Sequence, residues 1–191
     1  MVAFAWLFVL IGMGTLSWIS GTVDNATTVG VVKTEVNIGL LRQCSKTGSQ
    51  KQCDTLKSNG KCGGIKHSGG WAFSMLLFAI APGLVALVVC GLAGVEMEVG
   101  PLDSERSNMI AFVSTTLFQG LVFLAWFGYV CGAYSNTCYK DTKGYKAGYS
   151  FALVITAWFI FLLPSNALTA AYFFGIAIPV LVDPEKSTAS V

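Results

Sequence analysis

The sequence predicts a mainly α-helical membrane protein, a bundle of four transmembrane helices with a small antiparallel β-sheet outside the lipid. Three observations predict it. Apolar residues make up 54% of the 191-residue chain and charged residues only 12%, about half the charged share of a soluble domain. The apolar residues gather into four long runs with no Asp, Glu, Lys, Arg or His. A period-two stretch of β-branched residues lies in the long polar connection after the first run. So few charges cannot cover a soluble surface, which excludes an ordinary cytosolic enzyme, a nucleic-acid-binding domain and a disordered chain.

The runs are residues 1–20, 71–95, about 108–134 and about 149–182. At about 1.5 Å per residue, about 20 residues cross a hydrocarbon core of about 30 Å. The first run only just suffices, and the fourth is long enough to need a tilt or a kink. A signal peptide is the alternative for the first run. It needs a basic leading segment, whereas no basic residue precedes Lys33. Pro82, Pro164 and Pro179 are expected to kink or end their helices. Trp18, Trp71, Tyr134 and Tyr149 fall at one boundary, as an interfacial aromatic belt would.

Four spans put both termini, a short acidic connection (residues 96–107) and a stub of a tail (183–191) on one side. The 50-residue connection 21–70 and the basic connection 135–148 share the other side. Two signals conflict over which side is outside. Lys33, Arg42, Lys46, Lys51, Lys57, Lys61, Lys66, Lys140, Lys143 and Lys146 lie in the two long-side connections, and the positive-inside rule would keep them cytoplasmic. Cys44, Cys53, Cys62 and Cys138 lie on that same side, and none of the six cysteines lies in the connection or tail of the other. Clustered loop cysteines point to disulfides in an oxidising compartment. Asn25-Ala26-Thr27 on that side is a glycosylation sequon. The cysteine signal is preferred, which gives cytoplasmic termini and, as location, the plasma membrane. A cytosolic zinc site is the competing use of Cys44, Cys53, Cys62 and His67, but their C-x8-C-x8-C-x4-H spacing lacks the close C-x2-4-C pair.

In the long connection Val32, Thr34, Val36, Ile38 and Leu40 alternate with Lys33, Glu35, Asn37 and Gly39. That is the pattern of a half-buried antiparallel strand. Thr22–Thr28 is its expected hairpin partner, turning near Val29-Gly30. Residues 43–70 are polar and rich in Gly, Lys and Ser, too poor in apolar residues to hold a fold alone. Six cysteines allow fifteen pairings, and sequence does not choose among them.

Trp18, then Gly39-Leu40-Leu41, then Cys44 and Cys53 eight residues further on resemble the first-loop motif of the claudin and peripheral myelin protein superfamily, with Leu41 where the family has tryptophan. The large first connection, short inner connection and smaller second outer connection follow the same plan over nearly the whole chain. The resemblance implies a left-handed four-helix bundle topped by a small extracellular sheet, with Cys44 and Cys53 as the family disulfide. It also implies an edge strand from within residues 140–149. Cys62 and Cys138 are additional to the family pattern. A bond between them would tie the two outer connections together, with Cys131 the competing partner for Cys138.

Chemistry is sparse in the spans. Gln119 and Asn166 are polar but cannot ionise, which points to an interhelical hydrogen bond rather than a site. Gly128 with Gly132, and Ala167, Ala171 and Gly175, are small-residue stripes suited to close helix packing within the bundle or between molecules. No Ser-His-Asp, H-E-x-x-H or phosphate-loop pattern is present, and the lone His67 is in a connection. The expectation is therefore no enzyme activity, no cofactor and no bound metal. The partners expected are the lipid bilayer and other copies or other membrane proteins, and no nucleic acid. The function expected is that of a claudin-like structural protein assembling laterally or across cell surfaces through its outer connections. Alternatives are a channel-related role as pore former or accessory subunit, and a small accessory subunit of a large membrane complex.

Overall fold

The computed structural model describes residues 1–27, 30–56, 63–94, 104–134 and 146–174. Among them the elements run α1 (Val2–Gly14), β1 (Ile19–Thr27), β2 (Gly30–Ile38), β3 (Arg42–Thr47), β4 (Gln50–Thr55), α2 (Gly63–Gly94), α3 (Ser104–Tyr134) and β5 (Lys146–Ala147). A fourth helix follows as α4 (Tyr149–Thr156), a π-helical segment (Ala157–Leu162) and α5 (Leu163–Phe173). Three helical stretches, Gly63–Leu92, Arg106–Ala133 and Tyr149–Ala171, are long and apolar enough to cross a membrane.

The first apolar run behaves differently. Its helix has 13 residues, about 20 Å of length against a hydrocarbon core of about 30 Å. Gly12 and Gly14 weaken the last turn, and its carbonyls find other donors. The Thr15 amide and hydroxyl both reach the Ile11 carbonyl, at 3.1 and 2.8 Å, and the Trp18 indole N–H donates to the Gly12 carbonyl at 2.7 Å. Thr15 then turns to extended backbone and the chain enters β1 by Ile19. Residues 15–20 thus belong to the helix–sheet junction rather than to a span.

The second helix begins eight residues ahead of its apolar run. Gly63-Gly64 and Gly69-Gly70 would disfavour a helix on propensity alone, but packing overrides it. Ile65 and Ser68 are buried, and a Cβ on Gly69 would overlap the Leu40 carbonyl oxygen. The proline expectations are met only in part. Helix α2 continues through Pro82, with the Trp6 indole donating to the Ile80 carbonyl at 3.4 Å in the disturbed turn. The fourth helix also continues past Pro164. Proline has no N–H for the carbonyl four residues back, and the perturbation is absorbed as the π-helical segment just before it. The Ser165 hydroxyl donates to the Phe161 carbonyl at 2.6 Å in that turn. Pro179 lies outside the described residues.

The sheet order is β4-β3-β2-β1-β5, antiparallel throughout. The expected strand is displaced slightly, to Gly30–Ile38, and its partner is longer, Ile19–Thr27, closing at the pair Thr27–Gly30. The polar segment after residue 42 makes a further hairpin, Arg42–Thr47 with Gln50–Thr55. Its two-residue turn starts at Gly48, whose φ of 60° is the left-handed conformation that such hairpin turns require. Lys146–Ala147 pair with Ser20 and Ile19, so the connection before the fourth helix does contribute an edge strand.

The core joins sheet to helices. Ala5, Val9, Trp18, Ile19, Val36, Ile38, Leu40, Ile65, Leu76, Phe118, Tyr129 and Val154 belong to one buried cluster. The C-terminal end of α1, the N-terminal ends of α2 and α4 and the C-terminal end of α3 all meet at the sheet. Thr15 touches Ser150, Leu40 lies on Gly69, and Gly132 lies on Ser68. The four helices therefore alternate in direction, up-down-up-down.

A Gly69→Ala protein should lose about 1–3 kcal/mol by overpacking against the Leu40 carbonyl. A Cβ on Gly91 meets nothing within 4 Å, so Gly91→Ala should be neutral or up to about 1 kcal/mol stabilising. Thermal unfolding of the two purified variants measures the contrast.

Candidate functional site

Three regions could carry function: the sheet, the polar contacts between α3 and α5, and a cavity at the opposite end of the helices. The sheet is the most elaborate. Cys44 and Cys53 sit directly opposite each other on β3 and β4 and are disulfide-bonded. The Gly39-Leu40-Leu41 connection turns β2 into β3. The Gly39 amide donates to the Arg42 carbonyl at 2.8 Å, Leu40 is buried, Leu41 is exposed, and the Leu41 carbonyl accepts from the Leu56 amide at 3.2 Å. With its sulfurs joined, the Cys44–Cys53 pair cannot serve as zinc ligands. Cys62 and Cys138, and so the second proposed bond, lie outside the described residues. Cys90 is a free, half-buried thiol, and Cys131 is exposed near the C-terminal end of α3. Asn25 is on β1 at the pair Asn25–Val32.

Trp18 occupies the junction. It is fully buried, not part of an exposed aromatic belt, whereas Trp71 and Tyr149 are exposed. Its amide donates to the Ile38 carbonyl and its carbonyl accepts from the Gly148 amide, both at 2.9 Å. Its ring packs on Tyr129 of α3, with centroids 4.8 Å apart, and on Phe151 of α4 at 6.1 Å. One residue thus links α1, the sheet, α3 and α4.

Cross-strand partners share a face of a sheet, and the register sorts the side chains sharply. Ile19, Val23, Thr34, Val36 and Ile38 fall on one face, and Ile19, Thr34, Val36 and Ile38 are buried. On the other face lie Asp24, Lys33, Glu35, Arg42, Lys46, Lys51 and Lys146, together with the disulfide. Five cations thus face two anions. Glu35 pairs favourably with Lys46, while Lys46 and Lys51 are like charges directly opposite. That like-charge pair makes the face a weak attractor of anions.

Between α3 and α5 the polar residues find one another. The Asn166 amide N–H donates to the Gln119 side-chain oxygen, and the Thr116 hydroxyl donates to the Asn166 side-chain oxygen at 2.9 Å. Thr115 and Thr169 hydroxyls lie 3.1 Å apart. The small residues divide. A Cβ on Gly128 would come within 2.5 Å of the Trp71 ring, and one on Gly132 would overlap Ser68, so both are consumed in packing α3 on α2. Ala167 is exposed and Ala171 half-buried, and Gly175 lies outside the described residues.

At the other end a largely apolar cavity of about 590 Å³ opens among Val2, Leu87, Cys90, Asn108, Ala111 and Leu168. No group of three or more potential metal ligands is present among the described residues. No family model matches this chain, and no curated protein matches it. The class that the fold defines is therefore what the geometry alone gives: a mainly helical chain with three helices long and apolar enough to cross a membrane, capped by a disulfide-bonded antiparallel sheet.

The hairpin residues of β4 are all exposed, so burial contributes little to holding β4 on β3. Cys44→Ser should lower stability by about 2–3 kcal/mol and open this hairpin first. Limited trypsin digestion, read at Lys46 and Lys51, should show cleavage accelerated in the variant and in reduced wild type, but not in the oxidised protein.

Proposed function

We propose that this chain is a claudin-like, multi-pass membrane protein of structural type, which assembles with neighbours through its outer sheet. In this reading the sheet lies outside the plasma membrane and both termini are cytoplasmic. The observation that carries it is the union of the two outer connections in one sheet, where β5 pairs with β1 and the Cys44–Cys53 bond closes the far hairpin. A disulfide of this kind belongs in an oxidising space. A rigid sheet with one face anchored on helices and the other exposed is suited to recognition, because its side chains are held in place before any partner arrives. The same disulfide weighs against the accessory-subunit reading, which calls for free thiols in the outer connection.

A short epitope inserted at the Gly48-Ser49 turn should be reached by antibody on intact cells, and mobility on a nonreducing gel should shift with reductant. Cys44→Ser should abolish surface assembly. An epitope reached only after permeabilisation, or unchanged assembly in Cys44→Ser, defeats the proposal.

The one-sided distribution of charge supports a second reading, a channel-related one. Lys33 and Glu35 share the exposed face with Lys46 and Lys51, where they could line a polar path. If they do, Lys33→Glu should shift the charge selectivity of conductance across a cell layer or reconstituted bilayer towards cations. Unchanged selectivity removes this reading.

A further inference from the structure

We infer that two copies of this chain associate side by side through α3, with Gln119 of each copy hydrogen-bonding to its counterpart across a twofold axis. The inference rests on the membrane-spanning reading above, and it names the partner and the contact. Gln119 lies at the middle of the stretch Arg106–Ala133, the depth at which water is scarcest. Its oxygen accepts from Asn166, and Asn166 in turn accepts from Thr116. This chain of bonds leaves both N–H donors of Gln119, and one of Asn166, without an acceptor among the described residues. Buried in hydrocarbon, each such donor is costly until it finds an oxygen.

The surroundings fit another helix better than lipid. Thr116 and Gly120 are exposed one turn apart, and a Cβ on Gly120 would meet nothing within 4 Å. That is a small-xxx-small seam, which lets a second backbone approach closely. Gly128 and Gly132 do not compete for this role, since α2 already covers them. Ala167 and Leu163 flank the seam from α5, and both are exposed.

The occupant follows from the chemistry of the unmet groups. A primary amide offers both a donor and an oxygen with a spare lone pair, so it is complementary to itself. A twofold axis sets residue i against residue i. Each Gln119 N–H then reaches the other copy's amide oxygen, and the Gly120 residues face each other. Any other partner would need its own polar group at the same depth, which a second copy supplies automatically.

The test begins with Cys90→Ser and Cys131→Ser, leaving the sheet cysteines native. In that background Gly120→Cys should form disulfide-linked dimers on mild oxidation in membranes, whereas Phe159→Cys, exposed on the π-helical segment, should not. Adding Gln119→Leu should weaken dimerisation about tenfold while the Cys44–Cys53 bond and protease resistance of the sheet persist. Equal cross-linking at Gly120 and Phe159, or dimerisation unchanged by Gln119→Leu, overturns the inference. So does cross-linking of Gly120→Cys to a different protein only. Alkaline carbonate extraction of the same membranes reports separately on the spanning reading: release into the supernatant defeats that reading, whereas retention without dimers defeats only this one.

Discussion

The Trp18 indole donates to the Gly12 carbonyl at the end of α1, while its backbone joins β2 on one side and Gly148, just after β5, on the other. Its ring fills the space between Tyr129 and Phe151. These contacts close several accounts at once. They end the first helix without leaving the Gly12 carbonyl bare, they set the start of β1, and they fix where the fourth helix begins. The neighbouring Ser17 and Ser150 extend the same joint, since the Ser150 amide donates to the Ser17 carbonyl at 3.0 Å. A helix N-terminus carries amides without intrahelical partners, and here the sheet-bound chain supplies the acceptor. The junction therefore needs the sheet, and the sheet needs the junction.

Much of this was legible in the sequence because it depends on local pattern. Charge-free runs mark the three long helices, and alternation from Val32 to Leu40 marks a strand. The early stop of α1 was not legible. It depends on a tryptophan six residues away in sequence folding back onto a carbonyl, and nothing in an apolar run announces that. The helical start at Gly63 was hidden for the opposite reason. Its glycines look like a loop until Leu40 comes against Gly69 and Gly132 of α3 against Ser68. The strands at Arg42–Thr47 and Gln50–Thr55 lack a buried face, so they carry no hydrophobic alternation to read. Gln119 and Asn166 could be suspected from their depth, but their direct contact required the packing of α3 on α5.

Proline 164 illustrates how a single local fact divides between sequence and structure. Its missing N–H is certain from the sequence, and some disturbance of the helix must follow. Whether the helix ends, bends or widens depends on what surrounds the freed carbonyls. Here the π-helical segment, Ala157–Leu162, shifts the bonding pattern upstream, and the Ser165 hydroxyl serves the Phe161 carbonyl. Trp158 and Phe161 of that segment pack against the core, so the widened turn is held from outside as well as satisfied within.

Burial falls off steadily across the sheet, and the covalent bond appears where burial runs out. Strand β2 places Thr34, Val36 and Ile38 in the interior. On strand β3 only Cys44 is buried, on the opposite face with the disulfide, and every residue of β4 is exposed. An isolated two-stranded ribbon is marginal in water, and a hairpin with no apolar face gains nothing from lengthening. Closing a short ring between the strands stabilises it differently, by restricting the unfolded chain. The hairpin can then project polar, cationic side chains outward without having to bury any of them. Its surface is thereby left to recognition, while the stability of the whole rests on the tryptophan joint at the other edge.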